Sequence, residues 1–512
     1  MLRFLSLMLF FLFSTTFAVA EDEACRLSLR ETLALAIERN LDLQIAAEEV
    51  PISAEGITAE EAVFDPVATV SAQARSERLP SVSVFSGDAY DRQREYLGTA
   101  ALSKRFRTGM EGSLSLKTLR QSSNSAIIGL NPQYRSFLVF NVTQPLLRDF
   151  GSEANTTNLR IAQQRRRQAG LAFIDSARQL AGKIEQAYIE AARTSGVLSM
   201  RLESRALAQE LLEGNRKKFD SGLISISEIQ EAQTALMLRD DDVLLARQQM
   251  EIAVNNLQDL LEIEDGKRFQ WSVPDEEFLL PEESLPPLEE AKNLALDNRP
   301  DLEGQRIELA VRDIRVEFTR NQKMPRLDLQ ATLGTNGLSG DGQIPAFSPG
   351  PSEMNPFRGE YTDSLQGVAE RDGYEWAVGL NFSYPLGNRA ADSRLQQARS
   401  QKRQEVYRLR RLENGIITEV DNALVRVSKS LERAQVTERL VGLAETTLSQ
   451  EMQRLRSGLS DTFRILEFQE DVVEARIRKV NARAEVEAGF AELYTAMGLN
   501  LERYGIVPTL DF

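Results

Sequence analysis

The sequence predicts an internally duplicated α+β protein in which very long helical hairpins alternate with strands that have one apolar face. Three observations carry this. The turn in "NRKKFDSGLISISEIQEAQ" (residues 215–233) returns in "MQRLRSGLSDTFRILEFQE" (residues 452–470), each time between helical stretches. Residues 153–219 and 389–456 contain no proline; at about 1.5 Å per residue each would span roughly 100 Å as a helix, more than a compact domain accommodates. Finally, short segments in both halves alternate apolar and polar residues with period two, the mark of a strand with two unlike faces.

Composition removes most catalytic chemistry. The 512 residues include no histidine, which excludes Ser-His-Asp and Cys-His catalysis and His-ligated zinc within one chain. Cys25 is the single cysteine, so no intrachain disulfide or CxxC site exists. Neither GxxxxGK[ST] nor GxGxxG occurs. The chain is expected not to be an enzyme and to need no cofactor or metal. A formal net charge of −15 makes it a poor ligand for nucleic acid backbones.

In chain order, residues 1–20 read as a signal peptide. Arg3 supplies the positive start, residues 5–13 the apolar centre, and Ala18-Val19-Ala20 a small-residue cleavage site. Beyond it no run of eighteen apolar residues remains, so a membrane could be crossed only by strands. The first repeat is expected over residues 21–270, the second over 285–499, and a tail over 500–512. Asp42 corresponds to Asp301 at an offset of 259, Pro145 to Pro385 at 240, and Gly222 to Gly458 at 236. The first copy is therefore longer between its opening helix and the proline.

The opening helix of the first copy is expected from Ser28 to Ala62, starting in a capping box of Ser28 with Glu31. That of the second follows Pro286-Pro287, which suit a first helical turn. Two strands per copy are expected. Ala68, Val70, Ala72 and Ala74 share one face, as do Leu138, Phe140 and Val142. In the second copy Leu327, Leu329, Ala331 and Leu333 alternate with polar residues, as do Trp376, Val378, Leu380, Phe382 and Tyr384. Residues 97–119 read as an extra hairpin turning near Gly109, either within or outside the sheet. Residues 337–373, rich in glycine, proline and serine, read as an exposed loop.

Past each turn, Ile229, Ala232, Leu236, Arg239, Val243, Ala246, Met250, Ala253, Leu257 and Leu260 keep a 3-4 spacing. The second copy repeats it from Ile465 to Ala496, with Lys479 as its one charge. This is a coiled-coil seam whose alanines permit close approach of helices. Gly222 and Gly458 end one helix of each hairpin, and Ser225 with Glu228 is expected to form a capping box that starts the next. The Arg239–Asp242 run reads as a solvated or lumen-facing cluster rather than a metal site. The apolar face of the strands needs a cover, either the long helices or lipid. Four strands cannot close a barrel alone, so the lipid reading requires several chains to share one.

The duplicated "ETLALAIERNLDL"/"EEAKNLALDNRPDL", the strand exits "QPLLRDFG"/"YPLGN" and the tip "FDSGLISISEIQEAQ" resemble the TolC-like outer-membrane efflux proteins. The resemblance spans residues 27–499. It implies a homotrimer in which each chain gives four strands to one shared β-barrel in the outer membrane, continuous with a long periplasmic α-helical barrel. The implied role is a passive duct of an efflux or type I secretion system, fed by a periplasmic adaptor protein and an inner-membrane transporter. Trp376, Val378, Leu380, Phe382 and Tyr384 would then face outer-membrane lipid. The hairpin tips that meet the adaptor fall on Gly222, Leu223, Ile224 and Ser225, and on Gly458, Leu459 and Ser460. Glu228 and Glu467 hold the places of gate residues, with Arg464 one turn before Glu467, either as a lock or as a helix-surface pair. Phe512 follows a polar tail and is read as no assembly signal. The competing reading is a periplasmic coiled-coil scaffold without a pore.

Overall fold

The structure is a computed structural model that describes residues 28–82, 89–125, 127–262, 285–343 and 356–507. The predicted signal peptide, Cys25 and Phe512 lie outside the described residues. In chain order the elements are α1 (Leu29–Arg39), α2 (Leu41–Glu61), β1 (Val67–Pro80), β2 (Tyr90–Arg105), β3 (Glu111–Ser123) and β4 (Leu130–Pro145). There follow α3 (Ser152–Asn155), α4 (Thr157–Asp220), α5 (Ile226–Leu260), α6 (Leu288–Asn298) and α7 (Pro300–Gln322). The last are β5 (Arg326–Gly342), α8 (Tyr361–Glu370), β6 (Gly373–Ser383), α9 (Arg389–Arg456), α10 (Thr462–Met497) and α11 (Asn500–Arg503). The chain divides into two compact units, one of residues 48–172 and 301–412, the other of the remainder.

The capping box of Ser28 and Glu31 is present. Glu31 N–H donates to Ser28 Oγ at 3.4 Å and Ser28 N–H to the Glu31 carboxylate at 2.9 Å. The Ser28 N–H and, at 2.8 Å, the Ser28 hydroxyl, both donating to it, hold the Glu31 carboxyl below its ordinary range. The expected single opening helix is two, because Asn40 leaves the helix and its Oδ1 accepts from Leu43 N–H to restart it. The second half breaks at the matching place, Arg299-Pro300, where proline starts α7.

The strand-bearing unit holds one antiparallel sheet in the order β1-β2-β3-β4-β5-β6. The expectation of four strands per chain is corrected to six: β2 and β3 pair along their length with β1 and β4. Their alternation is faint in sequence because Gly98 and Ala100 occupy one face while Leu97 and Ala101 fall on the other. The β2–β3 turn is fastened to the exit of β4. Gly109, at φ +89°, lies where a Cβ would come within 2.4 Å of the Asp149 carbonyl. Asn155 there donates to Asp149 and Gly151 carbonyls and accepts from Arg105.

Residues 337–373 are also not simply a loop. Strand β5 runs on to Gly342, and α8 packs on β4 and β5. Ser136 and Ser364 hydroxyls meet at 2.9 Å, both fully buried. Gly337 is what lets the helix approach, since a Cβ there would stand 2.1 Å from the Ser364 carbonyl. Glycines that read as turn signals are thus close-approach positions.

In the helical unit the predicted seam is the buried face. Ile229, Ala232, Val243, Ala246, Ala253 and Leu257 of α5 are buried, and so are Ile465, Val472, Ala475, Ala482, Val486, Leu493 and Ala496 of α10. Helix α10 buries a second stripe that α5 lacks, including Ile477, Ala484, Phe490 and Ala491. Small residues admit its neighbours: Cβ positions at Gly196 and Gly489 would lie 3.1 Å from Val480 and 3.0 Å from Val427. Among the described residues no helix is long and apolar enough to cross a membrane.

Candidate functional site

Two surfaces, one in each unit, hold the residues singled out in the sequence. The first is the pair of hairpin tips. Helix α4 ends in a Schellman turn, with Leu223 N–H donating to Lys218 C=O at 2.9 Å and Gly222 N–H to Phe219 C=O at 2.7 Å. The second tip repeats it: Leu459 donates to Arg454 at 2.9 Å and Gly458 to Leu455 at 3.0 Å. Gly222 and Gly458 stand at φ +71° and +72° with open space where a Cβ would be. Backbone conformation, not crowding, therefore calls for glycine. Leu223 and Leu459 project into solvent, 74% and 69% exposed, while Ile224 and Ser460 are half-buried and Ser225 is exposed. Ile226 and Phe463 extend the same apolar surface. Their signal in sequence was an apolar residue three or four places past each tip leucine.

The predicted capping box at Ser225 is absent. Ser225 has N-cap backbone angles but no side-chain cap, because Glu228 is engaged elsewhere. Its carboxylate accepts from Thr462 Oγ1 of the second hairpin at 3.2 Å, while its carbonyl accepts from Asn215 Nδ2 of its own hairpin at 3.4 Å. Asp461 instead caps α10 through Arg464 N–H at 2.9 Å. Arg464 does not pair with Glu467. It lies 3.8 Å from Glu451, a buried carboxylate that also accepts from Ser460 Oγ at 2.6 Å, whereas Glu467 is exposed.

Farther from the tips, the two charges that break the seams are explained. Arg239 is 2.6 Å from Glu470 of α10, and Lys479 is 2.9 Å from Glu438 of α9, whose carboxyl this lysine holds below its ordinary range. In the Arg239–Asp242 run Asp241 is exposed, and the other three residues are paired. Asp242 and Asp240 pair with Arg201 and Arg205 of α4, and Arg201 also reaches Glu470 and Glu474 at 3.2 and 2.7 Å. Among the described residues no group of three or more Cys, Asp or Glu is arranged to hold a metal ion.

The second surface is one face of the sheet. The hydrogen-bonded row Ala68, Leu102, Leu114, Phe140, Leu333, Trp376 crosses all six strands. The next, Val70, Ala100, Leu116, Leu138, Thr335, Tyr374, continues it. Trp376, Val378, Leu380 and Phe382 are each more than 60% exposed, and Tyr384 follows just beyond β6. The opposite face is polar, with Ser103, Ser113, Asn141 and Thr332 in one row; Thr332 Oγ1 lies 2.8 Å from Asn141 Oδ1. The sheet thus has one apolar and one polar face.

Residues 292–499 match the family model of the outer membrane efflux proteins. No curated protein matches the chain significantly in sequence. Among solved structures, the outer-membrane channel OprN has TM-score 0.65 at 16% identity, covering 92% of this chain and 89% of that one. The CmeC outer membrane channel of Campylobacter jejuni gives 0.62 at 15%, covering 92% and 86%. The outer membrane protein VceC of Vibrio cholerae gives 0.62 at 16%, covering 92% and 96%. Identities this low speak for the fold, and the family model speaks for the second half. Residues 292–499 thus carry an outer membrane efflux protein domain, and the chain has the fold of the TolC-like outer-membrane channels.

Proposed function

We propose that three copies of the chain form a passive export duct in the outer membrane, with the helical unit in the periplasm. The observation that carries this is the exposed apolar face that crosses all six strands. In water it would be a large unsatisfied patch, and in lipid it is satisfied. Strands β1 and β6 are the free edges of the sheet and run in opposite directions, so β6 of one copy can continue antiparallel into β1 of the next. Three sets of six strands make eighteen, and barrels of about sixteen to eighteen strands leave an aqueous channel. The helical unit supports the same ring. Helix α5 exposes Met237, Leu238, Leu244, Leu245 and Ile252, and α9 exposes Val425, Val436 and Leu443. One stripe would cover the other between copies.

The tip surface of Leu223, Ile226, Leu459 and Phe463 would dock the periplasmic adaptor, which in turn binds the inner-membrane transporter. Glu228, held by Thr462 and Asn215, joins the hairpins at this end, so separating them is the natural opening step. A scaffold without a pore would leave the apolar sheet face in water.

Cysteine cross-linking tests the ring. With Cys25 replaced by serine, cysteines are scanned along β1 around Val70 and along β6 around Val378 in the full chain. Oxidation is expected to give cross-linked species that stop at three chains. Absence of intermolecular products at every register, or ladders that continue past three, would reject the shared barrel.

A further inference from the structure

The two free edges of the sheet carry unlike side chains. An edge strand presents unpaired backbone donors and acceptors, a template for another strand. The apolar face of β1 is lined by small residues, Ala68, Val70, Ala72 and Ala74. The same face of β6 is lined by large ones, Trp376, Val378, Leu380 and Phe382. On the polar face, β1 carries Arg75 and Glu77, and β6 carries Glu375. Within its own sheet Glu375 stands opposite Gly334 of β5, which offers it no side chain.

Closure limits how these edges can meet. A barrel wall tilts its strands by about 35–45°, which staggers the register around the ring. Across the six strands of one copy, spaced about 4.8 Å, that tilt displaces the register by about six to nine residues. The stagger must be even, because an odd one would join the apolar face of one copy to the polar face of the next. The row that begins at Ala68 of β1 ends, unstaggered, at Trp376 of β6. A stagger of about six residues away from the helices sets Trp376 opposite Ala74 of the next copy. It also sets Ser383, the last residue of β6, opposite Val67, the first of β1. The same stagger in the other sense would set β6 beside α2 and the residues leading out of it, where no strand exists.

We propose that β6 joins β1 of the next copy in this one register. Phe382, Leu380, Val378 and Trp376 then stand opposite Ala68, Val70, Ala72 and Ala74, and Glu375 opposite Arg75. This rests on the reading that three copies share one barrel. Large residues meet small ones along the whole apolar seam, and a carboxylate meets a guanidinium on the polar side. The next even stagger, about eight residues, sets Glu375 opposite Glu77 instead, and like charges directly opposite are unfavourable. Arg75 already has carboxylates of its own sheet beside it, Glu77 at 3.0 Å and Glu95 opposite it on β2. Charge therefore selects between registers here more than it adds affinity.

The test uses the full chain with Cys25 replaced by serine, assembled in membranes, with one cysteine on β6 and one on β1. Directly opposite Cβ atoms lie about 5 Å apart and diagonal ones about 7 Å. A377C/Q73C should therefore cross-link between copies at least about fivefold faster than A377C/S71C or A377C/R75C. A second series on the apolar face reads the same register independently, with V378C/A72C expected to exceed V378C/V70C and V378C/A74C. A maximum at any other pairing, or equal rates within a series, overturns the register and leaves the shared barrel standing. Disagreement between the two series does the same. Absence of intermolecular products in both series and in the wider scan of β1 against β6 overturns the duct reading, and the register with it.

Discussion

At the scale of single residues, the helical unit contains one group set against its own charge. Glu185 of α4 is fully buried, and burial pushes its carboxyl up to about 7; the Tyr504 hydroxyl and Arg503 oppose the shift, and Glu487 adds to it. Below its unfolded value of about 4.5 the group is protonated in both states and costs nothing. As pH rises toward 7 the unfolded chain releases the proton more readily, so stability falls, and above 7 the full penalty of about 3 kcal/mol is present. Burial beside Glu185 also raises the Tyr504 phenol above its ordinary value. Glu185→Gln is expected to stabilise the protein by about 2 kcal/mol at pH 8 and to leave it unchanged near pH 4.5, after allowance for relaxation around the buried site. Thermal unfolding at the two pH values checks this; an equal shift at both would assign the effect to packing instead.

Local chemistry was readable from sequence where the partner is near in the chain. Ser28 found Glu31 three residues on, and the two tip glycines took the φ that a helix end requires. It was not readable where a distant residue competes. Thr462 draws Glu228 away from Ser225, and Glu451 draws Arg464 away from Glu467, across separations no local rule measures.

At the scale of elements, charge placement separates pairs that matter from pairs that do not. Arg201, 17% exposed, joins α4 to α5 and α10 through Asp242, Glu470 and Glu474. Arg201→Met would leave three carboxylates crowded together and should cost about 2 kcal/mol, below the range for fully buried pairs because water reaches the cluster. Arg205→Met removes an exposed pair with Asp240 and should cost less than about 0.5 kcal/mol. Urea unfolding of both variants compares them directly, and equal losses would deny the cluster its bridging role. The same network explains why the seam, traced from its 3-4 spacing, tolerates Arg239: the opposing helix supplies Glu470. Period-two alternation found β1, β4, β5 and β6; β2 and β3 were legible only as a hairpin over residues 97–119 turning near Gly109, its place in the sheet left open because small residues blur the two faces. Helix α8 was hidden because glycine signals a turn and a tight helix-to-sheet contact equally well.

At the scale of the whole molecule, the proposed duct depends on how six strands per chain are used. The inserted β2–β3 hairpin keeps the two faces of its neighbours in register across every strand, so it belongs to the same wall. A wall of eighteen strands encloses a wider lumen than one of twelve, since barrel diameter grows roughly in proportion to strand number. Single-particle imaging of the full chain extracted in detergent, at a resolution that counts strands, tests this most directly. A three-fold particle whose detergent belt surrounds eighteen strands is the expected result. A particle that needs no detergent, or a belt around twelve strands with the β2–β3 hairpin folded outside, would contradict it.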